Sequence, residues 1–191
     1  MSNKKIIAVF SAVIMVAAAV IVFFYFFSAK QGNREYESLT EGMKIWENTS
    51  VPGIAVYVPE DYVSTQNEYY TVYSKNNAQV SLTSETVDND LANYVYYAIE
   101  SYKDITDSFR IREEYEEELL NTTVHVIEFD YSLSLDSGIK NLSCLSAYVM
   151  GEGRSYVLTC VAPSEDFQLH REEFHRIYKT MTLVGKASES E

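Results

Sequence analysis

Hydrophobic and polar residues divide the chain into two regimes. Ile6 to Phe27 is a run of 22 residues without a charge, bounded by Lys5 and Lys30. Beyond it, apolar positions come in short groups with strand or helix spacing. At 1.5 Å per residue the run makes about 33 Å of helix, against a hydrocarbon core of about 30 Å. It predicts a transmembrane anchor over 6–27. An unusually long signal peptide is the alternative, although Phe27 stands where cleavage would want a small residue. Lysines and arginines flank both ends, so their count does not set orientation. The short flank 1–5, with Lys4 and Lys5, favours a cytoplasmic N-terminus and an extracytoplasmic remainder.

Residues 28–42 are polar and unpatterned and predict a tether. Residues 43–184 have an ordinary single-domain length, and 185–191, "GKASESE", predict a disordered tail. Within the domain "GIAVYVP" alternates up to Pro59, and "YYTVYS" and "AQVSLTSE" flank Asn76-Asn77 as a hairpin would. Leu91, Val95, Ala98, Tyr102 and Ile105 fall on one face of a helix, which Asp88 or Asn89 would cap. Four further strands follow in "DSFRIREEYEEE", "TVHVIEFDYSL", "IKNLSCLSAYVM" and "RSYVLTCVA". A last helix after Pro163-Ser164 turns Phe167, Phe174, Ile177 and Met181 inward. Three strands, a helix, four strands and a helix make an α+β domain: an antiparallel sheet with two main helices packed on it.

The hairpin "CLSAYVMGEGRSYVLTC" carries both cysteines. A three-residue turn Gly151-Glu152-Gly153 would place Cys144 opposite Cys160, within reach of a disulfide. A two-residue turn Glu152-Gly153 would send them to opposite faces. Gly153 at the left-handed position favours the first. Facing is not bonding, and two buried thiols acting as small apolar groups are the alternative.

Charge narrows the function classes. All 28 acidic residues but only 12 of the 15 basic ones lie from residue 31 onward, a formal charge of −16 there. Such a domain repels nucleic-acid phosphates, and no basic stripe offsets it. Of the three histidines, His170 and His175 are five residues apart on a helix and point in different directions, so no zinc spacing exists. In "REEYEEE", Glu114, Glu116 and Glu118 share one strand face. They lack the Asp/Asn and Gly pattern of a calcium loop, and a charged edge strand accounts for them. Asp88-Asn89-Asp90 reads as a helix cap. No nucleophile elbow, phosphate loop or dinucleotide fingerprint occurs, so neither enzyme activity nor a cofactor or metal is expected.

The 16 tyrosines stand out. Tyrosine joins a large apolar ring to a polar tip and is enriched at interfaces, and it also favours half-buried strands. Tyr69, Tyr70, Tyr73, Tyr94 and Tyr97 are the candidate interface residues.

Three stretches carry a family resemblance: "VPGIAVYVPEDY" (51–62), "LLNTTVHVIEFDYS" (119–132) and "SYVLTCVAPSEDFQLHREEFHRIYKTMTL" (155–183). They resemble the PsbP-like family, which includes an extrinsic photosystem protein, a nuclear-transport Ran-binding protein and bacterial envelope lipoproteins. The resemblance implies a non-enzymatic accessory role in binding proteins or stabilising assemblies, and it carries over no catalytic residue. The expectation is a single-pass anchored accessory protein whose outer domain binds another envelope or cell-surface protein. A binding module for a small solute or cation, serving a transporter or sensor, is the alternative. Ala8 and Ala12 form one small-residue pair through which the anchor would dimerise, although anchoring alone requires no such face.

Overall fold

The computed structural model describes residues 36–46, 51–66, 71–120 and 122–184. The chain divides into two compact units after Glu41. Of the first unit only 36–41 are described, with a helical segment at 36–40 where Thr40 Oγ1 donates to the Tyr36 carbonyl at 3.0 Å. The predicted tether therefore contains helix. The predicted flank 1–5, anchor 6–27 and tail 185–191 lie outside the described residues. Among the described residues no helix is long and apolar enough to cross a membrane.

The second unit is built on one antiparallel sheet of seven strands in the order β4-β5-β6-β10-β9-β8-β7. In sequence these are β4 (Val63–Gln66), β5 (Thr71–Lys75), β6 (Ala78–Thr86), β7 (Ser108–Glu118), β8 (Thr123–Leu135), β9 (Gly138–Gly151) and β10 (Arg154–Pro163). Three short strands precede them: β1 (Met43–Ile45), β2 (Ile54–Ala55) and β3 (Tyr57–Pro59). β1 pairs with β3, and β2 pairs with β11 (Thr182–Leu183), outside the main sheet. The predicted strand "GIAVYVP" is thus two strands, broken at buried Val56, whose carbonyl accepts from the Trp46 N–H at 2.8 Å. The predicted hairpin is β5 and β6, and the strand it joins at the sheet edge, β4, is an addition, exposed along its length with no apolar alternation to announce it.

Helix α1 (Leu91–Ile105) follows β6 and returns the chain to the far edge of the sheet, where β7 starts. Asp90 caps it, one residue past Asn89, accepting from the Asn93 N–H at 2.8 Å. Val95 is buried and Leu91, Ala98 and Tyr102 are partly buried, as the spacing predicts, but Ile105 at the C-terminal end is 71% exposed. Helix α2 (Phe167–Tyr178) buries Phe167, Phe174 and Ile177 on the opposite face, with Met181 buried just beyond it. The larger core, with Val124, Val126, Leu145, Leu158 and Cys160, lies under α2. A smaller, aromatic core of Ile127, Phe129, Cys144 and Tyr148 lies under α1.

Candidate functional site

Along β8 the positions facing α2 change character. Val124 and Val126 join the main core, and the next three on that face are Glu128, Asp130 and Ser132. Period-two alternation in "VHVIEFDYS" thus carries two carboxylates under a helix. A lone buried carboxylate costs several kcal/mol, so buried Glu128 must be met by partners, and partly buried Asp130 is met as well.

Glu128 is met by α2. Its side chain is only 2% exposed. Arg171 Nε donates to Oε1 and Oε2 at 3.0 and 2.9 Å, and His175 Nε2 lies 2.6 Å from Oε1. Residues four apart on a helix share a face, which lets both reach one carboxylate. Arg171 also reaches Glu113 on β7 at 3.0 Å. Burial alone would raise the Glu128 carboxyl, but His175 and Arg171 outweigh it and hold it below the usual carboxylate range. Further along the seam, Tyr178 donates to Glu117 at 2.7 Å and Lys179 reaches the same carboxylate at 3.1 Å.

Asp130 is met by a bulge. The β7–β8 pairing slips between Ile111 and Glu113, with Arg110 opposite Asp130 and Glu113 opposite Glu128. Arg110 Nη2 lies 2.6 Å from Oδ2, and the extra residue, Arg112, places Nε 2.8 Å from Oδ1. The Arg112 guanidinium also rests over the Phe167 ring, 5.4 Å from its centroid. Buried Ser143 donates to Asp130 Oδ1 at 2.7 Å and lies 3.0 Å from Ser164 Oγ. Burial again opposes ionisation, and Arg110, Ser143 and Arg112 overcome it, keeping the Asp130 carboxyl low. These groups open onto a cleft of about 520 Å³ with Ser108 and Asn141 at its walls.

A second open cleft, about 600 Å³, lies between the β5–β6 turn and the outer side of α2. Glu173 accepts from Tyr62 and Lys75, each at 2.8 Å, and Lys75 also reaches Asp61 at 2.9 Å. His170 Nε2 approaches Asn77 Oδ1 at 3.3 Å, while His175 points to Glu128, so the two helix histidines diverge.

No family model and no curated protein matches the sequence. Its fold does match solved structures. Cyanobacterial PsbP (CyanoP) from Synechocystis sp. PCC 6803 superposes with a TM-score of 0.58 at 9% identity, covering 75% of this chain and 93% of that one. The Ran-binding protein Mog1p of Saccharomyces cerevisiae gives 0.52 at 12%, covering 76% and 97%. LpqN of Mycobacterium tuberculosis, involved in cell envelope biogenesis, gives 0.50 at 16%, covering 75% and 91%. The fold is PsbP-like. At these identities the likeness is one of fold alone.

The PsbP-like domain separates the residues that the sequence groups together. Arg154 pairs with Gly151, so the β9–β10 turn is the two-residue Glu152-Gly153, with φ +51° and +72°. Both central residues are left-handed, the turn whose twist matches the strands. Cys160 therefore lies opposite Leu145, and Cys144 opposite Val161. Cys144 faces α1 and Cys160 faces α2, both as free buried thiols; the three-residue turn that favoured their facing is not the one formed, and the alternative of two buried thiols is what the structure has. Burial pushes Cys144 up to about 12 and raises Cys160 as well.

Among the tyrosines, Tyr69 and Tyr70 lie outside the described residues. Tyr73 is buried edge-on against Trp46, 4.6 Å between centroids, so its ring belongs to the core rather than to an interface. Tyr94 is partly buried over Tyr148 and donates to Glu85. Tyr97 is on the outer face of α1, 59% exposed, edge-to-face with Tyr96, which is 57% exposed. Glu114 and Glu116 share the α1 face of the sheet with His125, at 3.0 and 3.4 Å, and Glu118 accepts from Thr123. The sequence reading missed the Glu128–Arg171–His175 and Asp130–Arg110–Arg112 sets. The signal available was two carboxylates at inward positions of an apolar strand.

Proposed function

We propose that this chain is a single-pass, membrane-anchored, non-enzymatic accessory protein whose extracytoplasmic PsbP-like domain binds another envelope or cell-surface protein. The observation that carries the reading is the Tyr96–Tyr97 pair, two large rings held in edge-to-face contact on the solvent side of α1. Exposed aromatic rings of fixed geometry are the residues that anchor protein interfaces. The uncharged run 6–27 supports the anchor, and Lys4 and Lys5 support a cytoplasmic N-terminus. LpqN, a fold neighbour, has a role in cell envelope biogenesis. Cross-linking of the full-length protein in native membranes, against a chain carrying residues 1–42 alone, tests the reading. One dominant partner captured only by the full-length chain supports it, and equal neighbours for both chains contradict it.

The second reading, a small-solute or cation binding module, draws on the open cleft beside α2, whose walls carry Lys75, Arg176, Asp166 and Glu173. Calorimetric titration with small cations and solutes separates the two readings.

A further inference from the structure

We infer that the cleft at the ends of β7, β8 and β9 is a binding site for the phosphate group of a small solute or lipid headgroup. It stands independently of any partner at Tyr96–Tyr97, which lie on the helix packed on the other face of the sheet.

Two guanidinium groups meet at one carboxylate there, Arg110 at 2.6 Å and Arg112 at 2.8 Å from Asp130. Asp130 is the one acid among the lining residues, so the cleft holds two positive charges and one negative in a chain of net charge −13. An arginine offers five N–H donors, and the contacts to Asp130 engage one nitrogen of each. The remaining donors of Arg110 face outward, since its side chain is 75% exposed. Arg112 is pre-positioned by the bulge and by the Phe167 ring, so little conformational freedom is lost when a ligand arrives. The other walls carry the carboxamide of Asn141 and the hydroxyls of Ser108 and Ser164, which are tied to Ser132 at 2.8 Å and Ser143 at 3.0 Å. Planar guanidinium forks match several oxygens of one phosphate group. The long-range repulsion of an acidic domain is screened within about 8 Å at physiological ionic strength, whereas the two arginines act at contact.

The test is isothermal titration of the full-length protein in maltoside detergent, with ionic strength matched by chloride. One arm uses inorganic phosphate and the other phosphatidylglycerol dissolved in the micelles. Saturable binding in either arm that weakens about tenfold in both R110Q and R112Q supports the site. Phosphate binding assigns a soluble ligand, and binding of the lipid alone assigns a headgroup. No saturable heat in either arm, or binding unchanged in R110Q, overturns it. Arg110 is largely exposed, so R110Q stays informative even if R112Q fails to fold.

Discussion

Cys144 and Cys160 lie on opposite faces of one sheet, each facing the other's neighbour across the β9–β10 ladder: Cys160 pairs with Leu145 and Cys144 with Val161. Both are buried, and burial disfavours the reactive thiolate. Native protein treated with an alkylating reagent, without any reductant, takes up no adduct by intact mass. The same protein unfolded in guanidinium takes up two. A mass without adducts after unfolding would mean a disulfide and would contradict the register.

Glu128 ties α2 to β8. Truncating it leaves Arg171 without its buried counter-charge and His175 without its hydrogen-bond partner, and E128A lowers unfolding free energy by about 3–5 kcal/mol in urea titrations. The pH dependence has a definite sign. The Glu128 carboxyl is held below its unfolded value, so its stabilisation is complete above the unfolded carboxylate range and is lost as pH falls through the folded value. Melts recorded from pH 7 down to pH 3 show a shallower acid loss in E128Q than in wild type. Parallel acid limbs would mean that Glu128 gains nothing from its partners.

Gly53 and Gly138 both have positive φ, +95° and +107°, but only one is crowded. A Cβ at Gly53 would run into the Tyr156 hydroxyl, which hydrogen-bonds the Pro52 carbonyl at 3.3 Å, whereas a Cβ at Gly138 meets nothing within 4 Å. G138A therefore costs the backbone strain alone, about 1 kcal/mol. G53A costs about 2–3 kcal/mol, because Tyr156 must also move. Equal losses in denaturant titrations would contradict the contact.

Helix α2 has one face sealed and one open. Phe174 is fully buried and packs at a tilt against Phe167, 5.8 Å between centroids, while Leu169 is 79% exposed. F174A lowers stability by about 3–5 kcal/mol, and L169A changes it by about 0.5 kcal/mol or less. Thermal melts of the two variants order them unambiguously.

Much of the fold was legible because periodicity reports which side of an element is wet. Leu91, Val95, Ala98 and Tyr102 mark the inner face of α1, and Phe167, Phe174 and Ile177 that of α2, where the structure has them. β4 was not legible, since an edge strand with every residue exposed has no apolar alternation. The turn of the cysteine hairpin failed for a narrower reason. Gly153 suits both turn lengths, and the choice rested on Glu152 accepting φ +51°, which its residue type does not advertise. The polar seam under α2 was hidden because its partners come from β7, β8 and α2, far apart in sequence. The slip between Ile111 and Glu113 that gathers them is a feature of pairing, not of either strand alone. Tyr73 shows the limit of composition: a core tyrosine and an interface tyrosine are the same residue until packing separates them.

The most direct test of the proposed function is a photo-cross-linking amino acid placed at Tyr97 in the full-length chain, irradiated in native membranes. Glu152, exposed in the β9–β10 turn, serves as the comparison site. A partner seated on α1 gives one discrete adduct of higher mass from position 97 and none from position 152. No adduct at position 97, or the same smear from both positions, would contradict a partner seated on α1.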